Sequence, residues 1–129
     1  MARLIVLDAS VVIAALSAAD AHHQAASAAI ASTSDDELVL AALTRAEVLI
    51  GPTRAGGKAL RAARDFVDGC VTVPISASIA DDAARLRARH RALSLPDAIA
   101  LVVADVIDAD VVWTFDQRWS TVSARVSIL

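Results

Sequence analysis

Four acidic residues spread along the chain are the side chains best suited to chemistry: Asp8, Glu47, Asp97 and Asp116. Each stands directly after a predicted strand or near a predicted helix start. Carboxylate oxygens are the ligands that Mg²⁺ and Mn²⁺ prefer, and a divalent ion held by carboxylates activates water for hydrolysis. The four residues therefore raise the hypothesis of metal-dependent hydrolysis, provided that the fold brings them together.

Each acid also has a plain structural explanation at a helix start. Asp8 and Asp116 both follow a strand and are placed as helix N-caps. Glu47 lies three residues after Thr44, which is the spacing of a capping box and sufficient to explain it. Asp97 falls in the first turn of a helix, where the helix dipole favours negative charge. None of the four is therefore evidence for a site by itself.

Short strands and helices alternate around these acids. The apolar and β-branched runs predict strands at 4–7, 38–40, 71–73, 111–114 and 126–129. Helical spacing predicts helices at 10–16, 22–32, 44–50, 56–67, 78–92 and 97–107, the third ended by Gly51-Pro52. Such alternation across short loops indicates a parallel sheet covered on both faces. We therefore predict an α/β fold, a single three-layer α/β/α domain over residues 1–129.

A parallel sheet would turn four separate helix starts into one site. The strand-to-helix junctions of such a sheet all lie at the carboxyl edge of its strands. Two unit charges about 4 Å apart repel by roughly 4 kcal/mol at an effective dielectric constant of about 20. Few basic residues are placed to offset this charge, since Lys58 is the one lysine and most arginines lie between residues 54 and 91. Mg²⁺ or Mn²⁺ is the natural counter-charge.

Composition narrows the class of protein further. The formal net charge of −3 argues against a general nucleic-acid coat protein, so any nucleic-acid contact must be local. The single cysteine, Cys70, cannot form an internal disulfide and is predicted to be a small core residue. His22 and His23 are predicted to be exposed at a helix start. No apolar run is long enough for a membrane span, which makes the cytoplasm the expected location and excludes a membrane partner.

Read in order, four segments resemble the PIN-domain ribonucleases, and among them the VapC-type toxins of bacterial toxin–antitoxin pairs. The segments are LDAS at 7–10, TRAEVL at 44–49, LPDAIA at 95–100 and TFDQRW at 114–119. The resemblance implies an α/β/α PIN fold, Mg²⁺- or Mn²⁺-dependent cleavage of RNA, a VapB-type antitoxin as partner and a homodimer. One departure is Trp119, where the family more often has Phe.

The same resemblance assigns roles to individual residues. It implies that Asp8, Asp97 and Asp116 bind the metal, while Glu47 either binds it directly or orients the attacking water. Ser10 and Thr114 match positions where the family places accessory hydroxyls. The predicted site therefore consists of Asp8, Ser10, Glu47, Asp97, Thr114 and Asp116.

Three other functions remain open from the sequence. A haloacid-dehalogenase-like phosphatase would use Asp8 as nucleophile, but Ser10 stands where its acid is needed and Lys58 is poorly placed. A receiver-like signalling domain needs a lysine late in the chain, and none follows Lys58. A non-catalytic module would bind the antitoxin, or DNA through it, and use the acids as caps only.

Overall fold

A computed structural model describes residues 2–129, in which five parallel strands form one sheet. In chain order the strands are β1 (Leu4–Leu7), β2 (Glu37–Ala41), β3 (Val71–Val73), β4 (Val111–Thr114) and β5 (Val126–Ile128). They lie side by side as β3-β2-β1-β4-β5, and every neighbouring pair is parallel. The parallel sheet and all five predicted strands are confirmed.

Six α-helices cover this sheet. They are α1 (Ala9–Leu16), α2 (His23–Ala31), α3 (Ala42–Ala55), α4 (Gly57–Asp68), α5 (Ala77–Arg89) and α6 (Leu95–Val106), and a short 3₁₀ helix spans Gln117–Thr121. The longest, α3, has 14 residues. Within the described residues, no helix is both long enough and apolar enough to cross a membrane.

Alternate residues of the central strands pack into two separate hydrophobic cores, one on each face of the sheet. Ile5, Leu7 and Leu40 pack on one face with apolar residues of α1 and α2. Val6 and Val39, their neighbours in sequence, pack on the other face with residues of α6. Successive side chains of a strand point to opposite faces, so strands buried on both sides produce this pattern. The predicted three-layer α/β/α arrangement is confirmed.

The strand order changes direction at β1. The chain runs from β1 outward through β2 to β3, then returns to place β4 and β5 on the other side of β1. In open parallel sheets, ligands bind outside the carboxyl ends of the strands at such a switch point. Asp8 directly follows β1 and Asp116 lies two residues beyond β4, so both acids flank the switch point.

The third helix is longer than predicted. It begins at Ala42 and continues through Gly51 and Pro52 to Ala55, so the prediction that Gly51-Pro52 ends it was wrong. Proline removes only one helical hydrogen bond, and packing of the helix can offset that loss. The helix ends instead at Gly56, whose φ of 68° is in the left-handed region that glycine adopts readily.

Candidate active site

Asp8 is the most enclosed of the four acids and is held by two hydroxyl groups. Its Oδ2 accepts a hydrogen bond of 2.7 Å from Ser10 Oγ and another of 2.7 Å from Thr114 Oγ1. The side chain makes no capping bond to α1, although the residue occupies the N-cap position. The carboxylate is therefore oriented chiefly by the two predicted accessory hydroxyls.

The same two hydroxyls also connect Asp8 to the backbone after β4. Ser10 Oγ accepts from the N–H of Phe115 at 3.3 Å, and Thr114 Oγ1 accepts from the N–H of Asp116 at 3.0 Å. Because each hydroxyl accepts from a fixed backbone group, its proton is directed to Asp8. The network thus joins the first and last predicted motifs, which are over 100 positions apart in sequence.

Glu47 has no capping role. Helix α3 starts with Ala41 as its N-cap, so Thr44 is inside the helix, where it is buried, and cannot form the predicted capping box with Glu47. The capping explanation for Glu47 was therefore wrong. Partial burial raises the pKa of Glu47, and the negative charges of Asp8 and Asp97 raise it further.

The electrostatics of Asp8 agree with a gathered set of acids. Burial raises the pKa of Asp8, the hydroxyls of Ser10 and Thr114 lower it, and the charge of Asp97 raises it again. The charge of Asp97 acts on Asp8, and the charges of Asp8 and Asp97 both act on Glu47, so the three carboxylates are close enough for their charges to interact.

Asp97 combines this position with a structural task. It is the third residue of α6 and completes a capping box: Ser94 N–H donates to Asp97 Oδ2 at 3.0 Å, and Asp97 N–H donates to Ser94 Oγ at 3.2 Å. The predicted location in a first helical turn is confirmed. Ser94 was not singled out from the sequence, although the Ser-x-x-Asp spacing was its signal.

Asp116 caps the 3₁₀ helix, as predicted, and is paired with Arg118. Its Oδ1 accepts from the backbone N–H of Arg118 at 3.0 Å, and the guanidinium contacts both carboxylate oxygens. The side-chain hydrogen bond from Arg118 lowers the pKa of Asp116. Over residues 2–129, no three His, Cys, Asp or Glu side chains are arranged to hold a metal ion together.

The donor chemistry of the three neighbouring acids nevertheless fits a hard divalent cation. All the donors are carboxylate oxygens, and the pKa values of Asp8 and Glu47 are raised first by burial and then by the charges of neighbouring acids. A bound Mg²⁺ or Mn²⁺ would offset the negative charge of these acids.

The two neighbouring histidines and the single cysteine lie outside the set of acids. His22 is exposed, as predicted, but its ring also stacks on Phe115 with centroids 4.3 Å apart. His23 is half-buried and its Nδ1 is 2.8 Å from the carbonyl oxygen of Ala14, which links α2 to α1. Cys70 packs against the core as predicted, and burial raises the pKa of its thiol to about 11.

Comparison with protein families agrees with the fold and the motif order. The family described as the PIN domain matches residues 5–124, which is nearly the whole chain. The chain therefore belongs to the PIN domain family, and the family prediction is confirmed. No curated protein matches the sequence.

Similar solved structures include toxins and their complexes. VapC20 of Mycobacterium tuberculosis, a sarcin–ricin-loop-cleaving toxin, has a TM-score of 0.78 at 23% identity, covering 91% of this chain and 93% of that chain. A toxin–antitoxin complex from Klebsiella pneumoniae gives 0.80 at 21% identity, covering 95% of both chains. VapBC2 of Rickettsia felis, bound to a promoter DNA fragment, gives 0.66 at 12% identity, covering 98% and 97%. At these identities the likeness shows the shared fold.

Proposed function

We propose that this protein is the VapC-type toxin of a toxin–antitoxin pair and acts as a divalent-metal-dependent endoribonuclease. The observation that carries the proposal is the PIN-domain match over residues 5–124. In this fold Asp8 follows β1 at the switch point of the sheet, and the charges of Asp8, Glu47 and Asp97 act on one another. A cluster of repelling carboxylates destabilises a fold, so its presence here favours a role in binding a cation over a role in capping alone.

Metal binding would use the acids that the motifs supply. Asp8, Asp97 and Asp116 would hold Mg²⁺ or Mn²⁺, and Glu47 would either bind it or orient the attacking water. The cation would act as a Lewis acid on the scissile phosphate and would lower the pKa of a bound water, so that hydroxide is available as the nucleophile. Attack by water with the 3′-oxygen as the leaving group would leave 5′-phosphate and 3′-hydroxyl ends on the RNA, the products that the resemblance to the family implies.

Ser10 and Thr114 are positioning residues in this scheme. Both donate to Asp8 Oδ2, which favours the charged form of that carboxylate and fixes its orientation. Asp8 can thus remain ionised in a partly buried place while its other oxygen, Oδ1, has no hydroxyl donor from these two residues.

The test is cleavage of RNA by the purified protein with Mg²⁺ or Mn²⁺, compared with the same reaction in EDTA. We expect Asp8→Asn and Asp97→Asn to lower the rate by more than about 100-fold, since loss of even an outer-shell metal contact costs about 10–100-fold. Asp81→Asn is the matched control, because Asp81 is an exposed acid of α5 outside the motifs. Sequencing of the cleaved ends checks for 5′-phosphates.

Two results would contradict the ribonuclease. Full cleavage by both site variants would show that Asp8 and Asp97 are not needed for the reaction. Cleavage that persists in EDTA would show that the reaction needs no divalent metal. A folded protein that binds its antitoxin but cuts no RNA would favour the non-catalytic module. The phosphatase alternative finds no support in the family match, and Ser10 in the place of its acid donates to Asp8.

An antitoxin partner has a suitable surface next to the site. An apolar groove of about 320 Å³ lies between α1, α3 and α4, lined in part by Ile13, Leu16, Val48, Pro52, Ala55 and Ala59. Val48 and Glu47 both belong to α3, so the same helix contributes to the groove and to the set of acids. We propose that an apolar antitoxin helix binds here, because its lining suits a helix face better than RNA phosphates.

A homodimer in the cytoplasm completes the proposal. Both come from the resemblance to VapC-type toxins, and sedimentation of the purified protein measures the oligomeric state.

A further inference from the structure

Asp116 differs from the other three acids in having both carboxylate oxygens taken by one arginine. Arg118 Nε lies 3.0 Å from Oδ1 and 3.2 Å from Oδ2, and a terminal guanidinium nitrogen lies 2.6 Å from Oδ2. Among the ion pairs of residues 2–129, this is the one that involves a motif acid. Asp116 cannot give the same oxygens to a cation while this contact persists.

The ion pair between Arg118 and Asp116 is exposed enough for a cation to displace the arginine. The Arg118 side chain is 63% exposed and that of Asp116 is 23% exposed. Exposed ion pairs are weak and compete poorly with a divalent cation. The guanidinium also interacts with the charge of Asp97, after its stronger interactions with Asp116, so it lies close to the gathered acids.

We propose that Arg118 is a movable counter-ion of the site. It pairs with Asp116 in the metal-free protein, and once a divalent cation takes the Asp116 oxygens it turns to bind a phosphate of the RNA. This inference rests on the proposed function and assigns Arg118 as a substrate-binding residue.

The chemistry of the arginine suits both partners. A guanidinium presents paired N–H donors that match a carboxylate and a phosphate equally well. The acids would repel RNA unless a positive group stood at the rim, and the chain as a whole is negative. The Arg118 guanidinium would be free to bind a phosphate only after the cation has displaced it from Asp116.

Manganese affinity tests the first half of the proposal. We expect Arg118→Ala to bind Mn²⁺ about two- to fivefold more tightly than the wild type by calorimetry, the range set by a weak exposed ion pair. Arg118→Lys keeps the charge but cannot pair with both oxygens, so its affinity should be intermediate. Arg89→Ala is the control, because Arg89 is an exposed arginine of α5 that takes part in none of the ion pairs of residues 2–129.

A spectroscopic readout follows the arginine itself. The Arg118 Nε–H resonance, assigned by its loss in Arg118→Ala, should shift during a Mg²⁺ titration of the wild type with the midpoint of metal binding. RNA binding is then measured with saturating Mg²⁺ in a Glu47→Gln background, which slows cleavage and keeps Asp8, Asp97 and Asp116 as metal ligands. We expect Arg118→Ala to weaken RNA binding about tenfold there and Arg89→Ala to leave it unchanged.

The possible outcomes separate this inference from the proposed function. One result overturns only this inference: the wild type binds metal and cuts RNA, the Arg118 resonance stays fixed, and Arg118→Ala binds Mn²⁺ and RNA like the wild type. Arg118 would then serve only as the ion-pair partner of the Asp116 cap. An Arg118→Lys variant with wild-type Mn²⁺ affinity would show that charge alone matters, which overturns the pairing. A wild type that binds no divalent cation overturns both proposals.

Discussion

Two carboxylates of the proposed site, Asp8 and Glu47, are harder to ionise in the folded protein than in the unfolded chain. The pKa of Asp8 and that of Glu47 are raised, so the folded protein resists their ionisation. Two hydroxyls partly offset this at Asp8, whereas Glu47 has no comparable donor among the described side-chain hydrogen bonds. Active sites commonly sacrifice stability in this way.

The cost can be measured at Glu47. Because its pKa is higher folded than unfolded, the folded state binds more protons between the two values, and the free energy of unfolding of the metal-free protein falls as the pH rises through that window. We expect Glu47→Gln to melt at a higher temperature than the wild type at pH 7. The difference should vanish near pH 4, about the unfolded pKa of glutamate.

The same variant separates the site from a structural cap. Glu47→Gln should cleave RNA far more slowly while melting higher, and Mg²⁺ should raise the melting temperature of the wild type more than that of the variant. Asp81→Asn is again the control. A melting temperature that drops at pH 7 with cleavage intact would show that Glu47 is structural.

Helix starts position two of the four acids, Asp97 and Asp116. Asp97 is positioned by a capping box whose other member, Ser94, precedes α6, and Asp116 is positioned as the cap of the 3₁₀ helix. The two residues are therefore structural and chemical at once. At Asp97 and Asp116, a role as a helix cap and a role in the proposed site are therefore compatible.

A pair of caps tests this double role. Ser94 and Ser76 are the N-caps of α6 and α5, and each accepts one backbone N–H at 3.2 Å. We expect Ser94→Ala and Ser76→Ala each to lower the free energy of unfolding by about 1 kcal/mol in denaturant titrations. Only Ser94→Ala should also weaken Mn²⁺ binding, because α5 carries none of the four acids. Equal metal affinity in both variants would show that the Ser94 cap does not support Asp97 in the site.

At the scale of the whole molecule, the switch point and the apolar groove lie on connected elements. Helix α3 carries Glu47 toward the acids and Val48 into the groove. A partner bound in the groove would therefore contact the same helix that carries Glu47.

Two exposed isoleucines distinguish the groove from the remaining surface. Ile13 lines the groove and is 43% exposed, whereas Ile50 is 53% exposed and lies outside its lining. We expect Ile13→Ser to weaken binding of the copurified VapB-type antitoxin by at least about tenfold in calorimetry, and Ile50→Ser to leave it unchanged. Equal losses in both variants, or none in either, would contradict the groove as the antitoxin site.

Much of the architecture follows from local patterns in the sequence. Strands such as 4–7 and 111–114 are short β-branched runs between helical segments, and that alternation by itself predicted a parallel sheet with a common carboxyl edge. The position of the acids at or near that edge followed as well, since strand-to-helix junctions of a parallel sheet share it.

Other features depend on contacts between residues distant in sequence. Helix α3 continues through Pro52, Glu47 stands among acids and not in a capping box, and Thr114 donates to Asp8 across 106 positions. Short-range spacing cannot encode these choices, because packing energy between separate elements outweighs local helix signals. The sequence by itself therefore determined which acids reach the edge of the sheet. Only the tertiary structure decided that Asp8, Glu47 and Asp97 repel one another there while Asp116 is paired with Arg118.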